Sequence, residues 1–374
     1  MLKGKNVMNN INFNIYNNCL SNVSNSILNY YKVSKLHNSI KEIDDKLSKD
    51  NPDHVILILL DGLGSSILDY HLKENDFLKK NKQKDIFSVI PTTTTAATTT
   101  VMSGMNPIEH GWLGWDVYFK DIKKIVTLFT NNLKDSKEKA EKYNVAETKL
   151  GYKNIFELIS NKNKDVHIEK MFPFGENKYN SFEEAMKMVK NICKNYEKSF
   201  TYVYYDNPDA IMHKTGTKSI ETHEVLKKIN DNIELLSENI NNSTIIVIAD
   251  HGHIDSKPIF LTDYPDLLDK LRMDISIESR ACAFFVKGDN KNEFKKIFNE
   301  KFSNDFILYD RDEIIRKKVF GEGKENKYFR DAIGDFIAFG ISDKYFRSNR
   351  ECKQFVSQHA GITYDELIIP LIII

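Results

Sequence analysis

Three apolar runs in this chain end in aspartate. Residues 54–60 lead to Asp61, residues 200–205 to Asp206 and Asp209, and residues 243–249 to Asp250 and His251. His213 follows Asp209 by four positions, which puts both side chains on one face if that segment is helical. Carboxylates and imidazoles gathered at one point hold a divalent metal ion. Taken singly, each signal has an ordinary alternative. An aspartate before glycine at residues 61–62 often only caps a helix, Asp209 and His213 could be a solvated pair, and a lone His359 could be structural. An Asp-His pair directly after a buried strand is costly without a balancing charge. The four sites together point to a metal centre.

A second chemical feature is the run from Pro91 to Thr100, which holds seven threonines and two alanines. Pro91 sets a turn, the Thr/Ala stretch can begin a helix, and Gly104 and Pro107 end it. A threonine hydroxyl is a weak nucleophile until a metal or a base activates it. A helix N-terminus also favours a phosphate group.

The elements must bring these residues together. The three runs are short, apolar and rich in β-branched or aromatic residues, which predicts parallel strands buried on both faces. Ligands of open α/β sheets bind beyond the carboxyl ends of the strands, so adjacent strands would deliver Asp61, Asp209 and Asp250 to one edge. Helices are expected near 65–73, 154–159, 182–196 and 220–240, and short strands near 85–90, 124–129 and 171–172. A Lys-rich helix is expected within the variable stretch 116–148. This strand–helix alternation predicts a doubly wound α/β core. Residues 1–50 read as a helical lead-in, 51–264 and 351–374 as the core, and 265–350 as a small α+β insert. That insert carries strands near 279–286, 306–309 and 334–340 and a helix over 291–302. The apolar residues 367–374 read as a final strand.

The 374 residues suffice for a large core. Lysine plus arginine and aspartate plus glutamate are both 53, so no global charge draws the chain to a nucleic-acid polymer or a membrane surface. Four cysteines without paired spacing are expected to be reduced thiols. The polar start of the chain lacks an apolar leader, and a cytoplasmic location is the expectation.

In order along the chain, LLDGLG (59–64), IPTTTTAATTTVMSGMNPIEHG (90–111), YYDNPDAIMHKTG (204–216), IADHGH (248–253) and QHAGITYDELIIPLI (358–372) resemble the alkaline phosphatase superfamily. The likeness is to its type I phosphodiesterase/nucleotide pyrophosphatase family. The resemblance implies an alkaline-phosphatase-like, mostly parallel sheet with helices on both faces. It implies two divalent ions, zinc with manganese as the alternative. Asp209, His213 and His359 would hold one ion, and Asp61, Asp250, His251 and the nucleophile the other. The nucleophile position falls on Thr94, with Thr92 or Thr93 remaining if the turn is shifted.

The implied activity is hydrolysis of a phosphodiester or phosphoanhydride through a phospho-threonine, on a small phosphoester that includes nucleotides among its candidates. A phosphomonoesterase, phosphonate hydrolase or phosphomutase is the alternative, and a non-catalytic binding protein a more remote one. Two departures bear on the substrate. Nucleotide-cleaving relatives have an aromatic where this chain has Thr95. They place an asparagine near the position of Trp115, so Trp112 or Trp115 would have to supply stacking. Lys214 and Arg280 are the cations expected to be able to reach an additional phosphate charge.

Overall fold

The structure, a computed structural model, describes residues 14–175 and 178–374. The first part of the expected lead-in therefore lies outside the described residues.

The core is a six-stranded sheet. Its strands are β1 (His54–Leu60), β2 (Lys82–Phe87), β3 (His167–Met171), β4 (Ser199–Tyr205), β5 (Ser243–Ala249) and β6 (Ile368–Ile373). They lie in the order β2-β6-β5-β1-β4-β3. β3, β4, β1 and β5 pair in parallel, whereas β6 pairs antiparallel with both β5 and β2. β1 and β5 are buried at nearly every position. That explains why both read as continuous apolar runs rather than alternating ones.

The register sets the site. Leu60 of β1 stands opposite Tyr205 of β4 and Ala249 of β5. The residues that follow, Asp61, Asp206 and Asp250, therefore leave the sheet at one level on its carboxyl edge. The helix Thr94–Ser103 begins at the same edge, and Gly104 ends it in the left-handed region at φ 72°.

The lead-in is part of this core rather than an appendage. In the helix Leu20–Tyr30, the side chains of Leu20, Val23 and Ile27 join the main apolar cluster. Ser24 donates to the Val101 carbonyl at 2.6 Å and Asn25 to the Gly104 carbonyl at 2.9 Å, which ties down the C-terminal end of the threonine helix.

A second sheet of seven antiparallel strands covers the carboxyl edge. It joins Asp116–Phe119, Lys124–Thr127 and Asn132–Leu133 to Ser276–Ile277, Ala281–Phe284, Phe306–Asp310 and Phe336–Gly340. Three of these seven strands precede the expected insert of 265–350 in the chain. The bridge between Ile277 and Asp116 unites residues 161 positions apart, a pairing that local pattern does not encode. The expected Lys-rich helix does not form. Residues 134–144 hold turns and an isolated bridge, with Asp135 at φ 54°. They offer no apolar stripe to bury at helical spacing.

Candidate metal centre and nucleophile

Two groups of ligand atoms lie close enough to share a cation. Asp209, His213, His253 and His359 form one, and Asp61, Asp209 and His251 the other, each with its ligand atoms within 4.8 Å of one another. Asp209 belongs to both, so the two groups adjoin. Asp250 stands beside the second, its Oδ2 3.4 Å from His251 Nε2.

Asp250 Oδ1 accepts the Gly62 and His251 amides, each at 2.9 Å, while Oδ2 is buried without a hydrogen-bond partner. A Cβ on Gly252 would meet the Asp365 carbonyl at 1.9 Å, so only glycine lets the 250–253 turn lie against the C-terminal segment.

The imidazoles are oriented from behind. His213 Nδ1 donates to the Ser357 carbonyl at 2.8 Å, His359 Nδ1 to the Thr92 carbonyl at 3.1 Å, and His251 Nδ1 to the Gly252 carbonyl at 3.1 Å. Carbonyl oxygens only accept, so each ring carries its proton on Nδ1 and presents the Nε2 lone pair. This is the tautomer a metal ligand needs, fixed by outer partners. His253 differs, because its Nε2 donates to Asp209 Oδ1 at 2.5 Å and it acts as a positioning residue for that carboxylate.

The electrostatics call for a cation. Burial pushes the Asp61 carboxyl well above its usual range, and the neighbouring Asp250 and Asp209 push it further. Asp250 is likewise raised by burial. Asp209 is held low despite its burial, because His253, His213 and His359 surround it. Burial keeps His359 neutral, and lowers His253 to about 4. Two buried carboxylates and the half-buried Asp209, none paired with a lysine or arginine among the described residues, stand beside imidazole nitrogens and suit a divalent metal ion. The residues present are chemically suited to the divalent metal that the resemblance implies.

Thr94, with Thr92 and Thr93 as the alternatives, and the following Thr95 differ in exposure. Thr92, Thr93 and Thr95 are buried, while Thr94 is partly open. Thr92 Oγ1 donates to the Gly361 carbonyl at 2.8 Å, and Thr93 Oγ1 donates to Glu278 at 2.7 Å. Thr94 Oγ1 lies 3.3 Å from Asp61 Oδ2 and 3.2 Å from His251 Nε2. Its helix begins without a side-chain cap, which leaves first-turn amides available to an anion.

The other expected contacts divide. A cavity of about 750 Å³ opens beside Thr94, Asp209, His213 and His359. Trp115 lines it and is 46% exposed. Trp112 does not. Its Nε1 donates to the Leu150 carbonyl at 3.1 Å and its ring packs near Phe129 and Tyr152, so it is a wall of the fold. Thr95 points into the core, with its hydroxyl buried and unpartnered. Lys214 is exposed on the helix Asp209–Thr215, away from the cavity lining. Arg280 is fully buried, paired with Glu366 at 2.7 and 2.8 Å, and cannot meet a substrate.

Sequence reasoning assigned no role to Tyr204, whose hydroxyl donates to Asp61 Oδ2, or to Glu278. Glu278 reaches the cavity from the second sheet, accepts Thr93 Oγ1 and the Trp115 amide, and is raised by burial to about 7. Tyr204 sits inside a quoted motif, whereas nothing in the local sequence marks Glu278.

A half-open threonine hydroxyl thus stands at a helix start beside two adjoining carboxylate–imidazole groups that could hold a cation. The type I phosphodiesterase/nucleotide pyrophosphatase family model matches residues 55–362, and the chain belongs to that family. It is a phosphoric ester hydrolase. No curated protein sequence matches the chain.

Among solved structures, murine ectonucleotide pyrophosphatase/phosphodiesterase 5 is similar with a TM-score of 0.63 at 18% identity, covering 85% of this chain and 87% of that one. An inactive variant of that protein in complex with AMP gives a TM-score of 0.62 at 18% identity, with the same coverage. Phosphonoacetate hydrolase from Sinorhizobium meliloti 1021, in complex with phosphonoformate, gives 0.62 at 15% identity, covering 86% of this chain and 90% of that one.

Proposed function

We propose that the chain hydrolyses phosphodiester or phosphoanhydride bonds through a phospho-threonine on Thr94. The observation that carries this is the Thr94 hydroxyl, 3.2 Å from His251 Nε2 and 3.3 Å from Asp61 Oδ2 at an uncapped helix start. Asp209, His213 and His359 would hold one divalent ion, and Asp61, Asp250 and His251 a second, with zinc the first choice. Bound there, such ions neutralise charge on the attacking and departing oxygens and favour the alkoxide of Thr94.

The chain's own residues supply the rest. Thr94 Oγ loses its proton and forms a bond to phosphorus, while the bond to the leaving oxygen breaks and that oxygen takes up a proton. The first-turn amides of the helix face the phosphoryl oxygens. Water then attacks the same phosphorus, the Thr94–phosphorus bond breaks, and the threonine regains its proton. Trp115 gives the substrate an aromatic wall.

The test is hydrolysis of bis-p-nitrophenyl phosphate against p-nitrophenyl phosphate, with zinc or manganese restored after chelation. Preference for the diester supports the proposal. Preference for the monoester moves the enzyme to the phosphatase or mutase side.

A second reading, phosphonate hydrolysis, is favoured by Thr95. Its burial removes the place directly after the nucleophile from substrate contact, which weakens stacking of a nucleotide base. The likeness to a phosphonoacetate hydrolase also supports it. Release of inorganic phosphate from phosphonoacetate distinguishes it from the first.

A further inference from the structure

The cavity continues away from the nucleophile to a cationic wall that the mechanism does not use. Arg347 lines it from the strand Lys344–Arg347. Its guanidinium lies 5.4 Å from the ring centre of Tyr345 and 5.3 Å from that of Phe355. Phe355 in turn packs against the candidate ligand His213, with ring centres 4.5 Å apart. A single ring therefore neighbours both the metal group and this arginine. Lys353, also on the cavity, places its ammonium 4.7 Å from the same ring.

Arg347 is unlike the other arginines. Arg272, Arg280, Arg311, Arg330 and Arg350 each reach a carboxylate, and Arg316 stands in solvent. Among the described residues Arg347 has no ion-pair partner, and its Nε is buried without an acceptor. Glu278, whose carboxylate feels the Arg347 charge, gives Oε1 to Thr93 and Trp115 and forms no ion pair with it. Aromatic neighbours interact with the face of a guanidinium and leave its N–H edge as a planar fork of donors, the geometry that matches a carboxylate or phosphate.

We propose that Arg347, with Lys353 beside it, is an oxyanion subsite that binds a second anionic group of the substrate while the first occupies the Thr94 centre. The substrate class is then a phosphoester, anhydride or phosphonate whose remaining part carries a carboxylate or a further phosphate. This rests on the phosphoryl-transfer reading of the Thr94 site. Arg347 takes the place of Lys214 and Arg280, which the sequence offered only as candidates able to reach such a charge.

The test is calorimetric binding to the zinc-loaded protein of methylphosphonate, of the carboxyalkyl phosphonates from phosphonoacetate to 4-phosphonobutyrate, and of methylenediphosphonate. The wild type is expected to bind at least one doubly anionic probe about tenfold or more tighter than methylphosphonate. Tighter carboxylate probes identify a carboxylate substrate, and a tighter diphosphonate identifies a second phosphate. Arg347→Gln should reduce the preference to within about twofold and leave methylphosphonate affinity unchanged, and Arg347→Lys should retain part of it. Unchanged methylphosphonate binding also reports that the variant is folded. A preference that survives Arg347→Gln, or no preference in the wild type, overturns the subsite. Failure of methylphosphonate itself to bind overturns the underlying reading of the Thr94 centre, and the subsite with it.

Discussion

Arg280→Met should cost far more than the loss of one surface charge. Arg280 is fully buried and forms two hydrogen bonds to Glu366, Nε to Oε1 at 2.7 Å and Nη2 to Oε2 at 2.8 Å. A third donor goes to the Lys344 carbonyl. Glu366 is also fully buried and accepts from the Gly361 amide at 2.7 Å and from Thr363 Oγ1 at 2.7 Å. Methionine fills much of the volume but strands the carboxylate, and breaking a buried pair from one side costs about 3–5 kcal/mol.

The cost should depend on pH. In the wild type, burial pushes Glu366 up, but Arg280, with help from Thr363 and the Gly361 amide, more than offsets it and holds the carboxyl below its ordinary 4.5. Without Arg280 only the Gly361 and Thr363 hydrogen bonds oppose the burial, and the folded-state pKa should rise above the unfolded one. The folded variant then binds the extra proton, so its stability falls as pH rises from about 4.5. The penalty should be about 1–2 kcal/mol smaller at pH 5 than at pH 8, at about 1.4 kcal/mol per unit of raised pKa. Urea unfolding followed by circular dichroism measures both values. The double variant Arg280→Met/Glu366→Leu should recover most of the loss.

The site should feel the same change. Gly361 connects through Thr92 to His359 Nδ1, so zinc affinity should fall about tenfold. A loss below about 1 kcal/mol at pH 8, or equal losses at both pH values, would refute the reasoning.

Thr94→Ala should keep zinc stoichiometry by elemental analysis to within one of two ions and lower turnover of bis-p-nitrophenyl phosphate at least about a thousandfold. Most of the activity surviving would remove Thr94 from its role. Asp61→Asn should raise the Tm of the metal-free protein at pH 8, because it neutralises a carboxylate that burial and its neighbours disfavour. The same change should abolish most of the Tm gain on adding zinc, and a lower metal-free Tm would contradict the electrostatic account. Glu278 has a folded pKa of about 7 against an ordinary 4.5. The metal-free wild type should therefore lose about 1–3 kcal/mol between pH 4.5 and 7 that Glu278→Gln does not lose, measured by urea unfolding across that range.

The sequence was most informative where chemistry and local pattern coincide. Asp61, Asp209, Asp250 and His251 follow strands whose apolar runs declare burial, and the register of β1 with β4 and β5 brings their ends level. His359 stands far along the chain, and the order of the motifs rather than local pattern pointed to it. Thr94 was open in the sequence to a shift of one or two residues, and only the fold shows that Thr92 and Thr93 are buried in contacts with Gly361 and Glu278. The second sheet was only partly legible, because Ile277 pairs with Asp116 across a long sequence separation. Glu278 and Arg347 acquire meaning only from that covering layer and the cavity beneath it. Arg280 misled because a charged side chain reads as exposed, and only its contact with Glu366 shows why it is buried.

The most direct measurement is to quench the zinc-loaded protein in acid during turnover of bis-p-nitrophenyl phosphate and map the covalent adduct by mass spectrometry. The expected result is a p-nitrophenyl phosphoryl group on Thr94, formed with release of one p-nitrophenolate and absent from Thr94→Ala. An adduct on another residue, with turnover preserved in Thr94→Ala, would contradict the account.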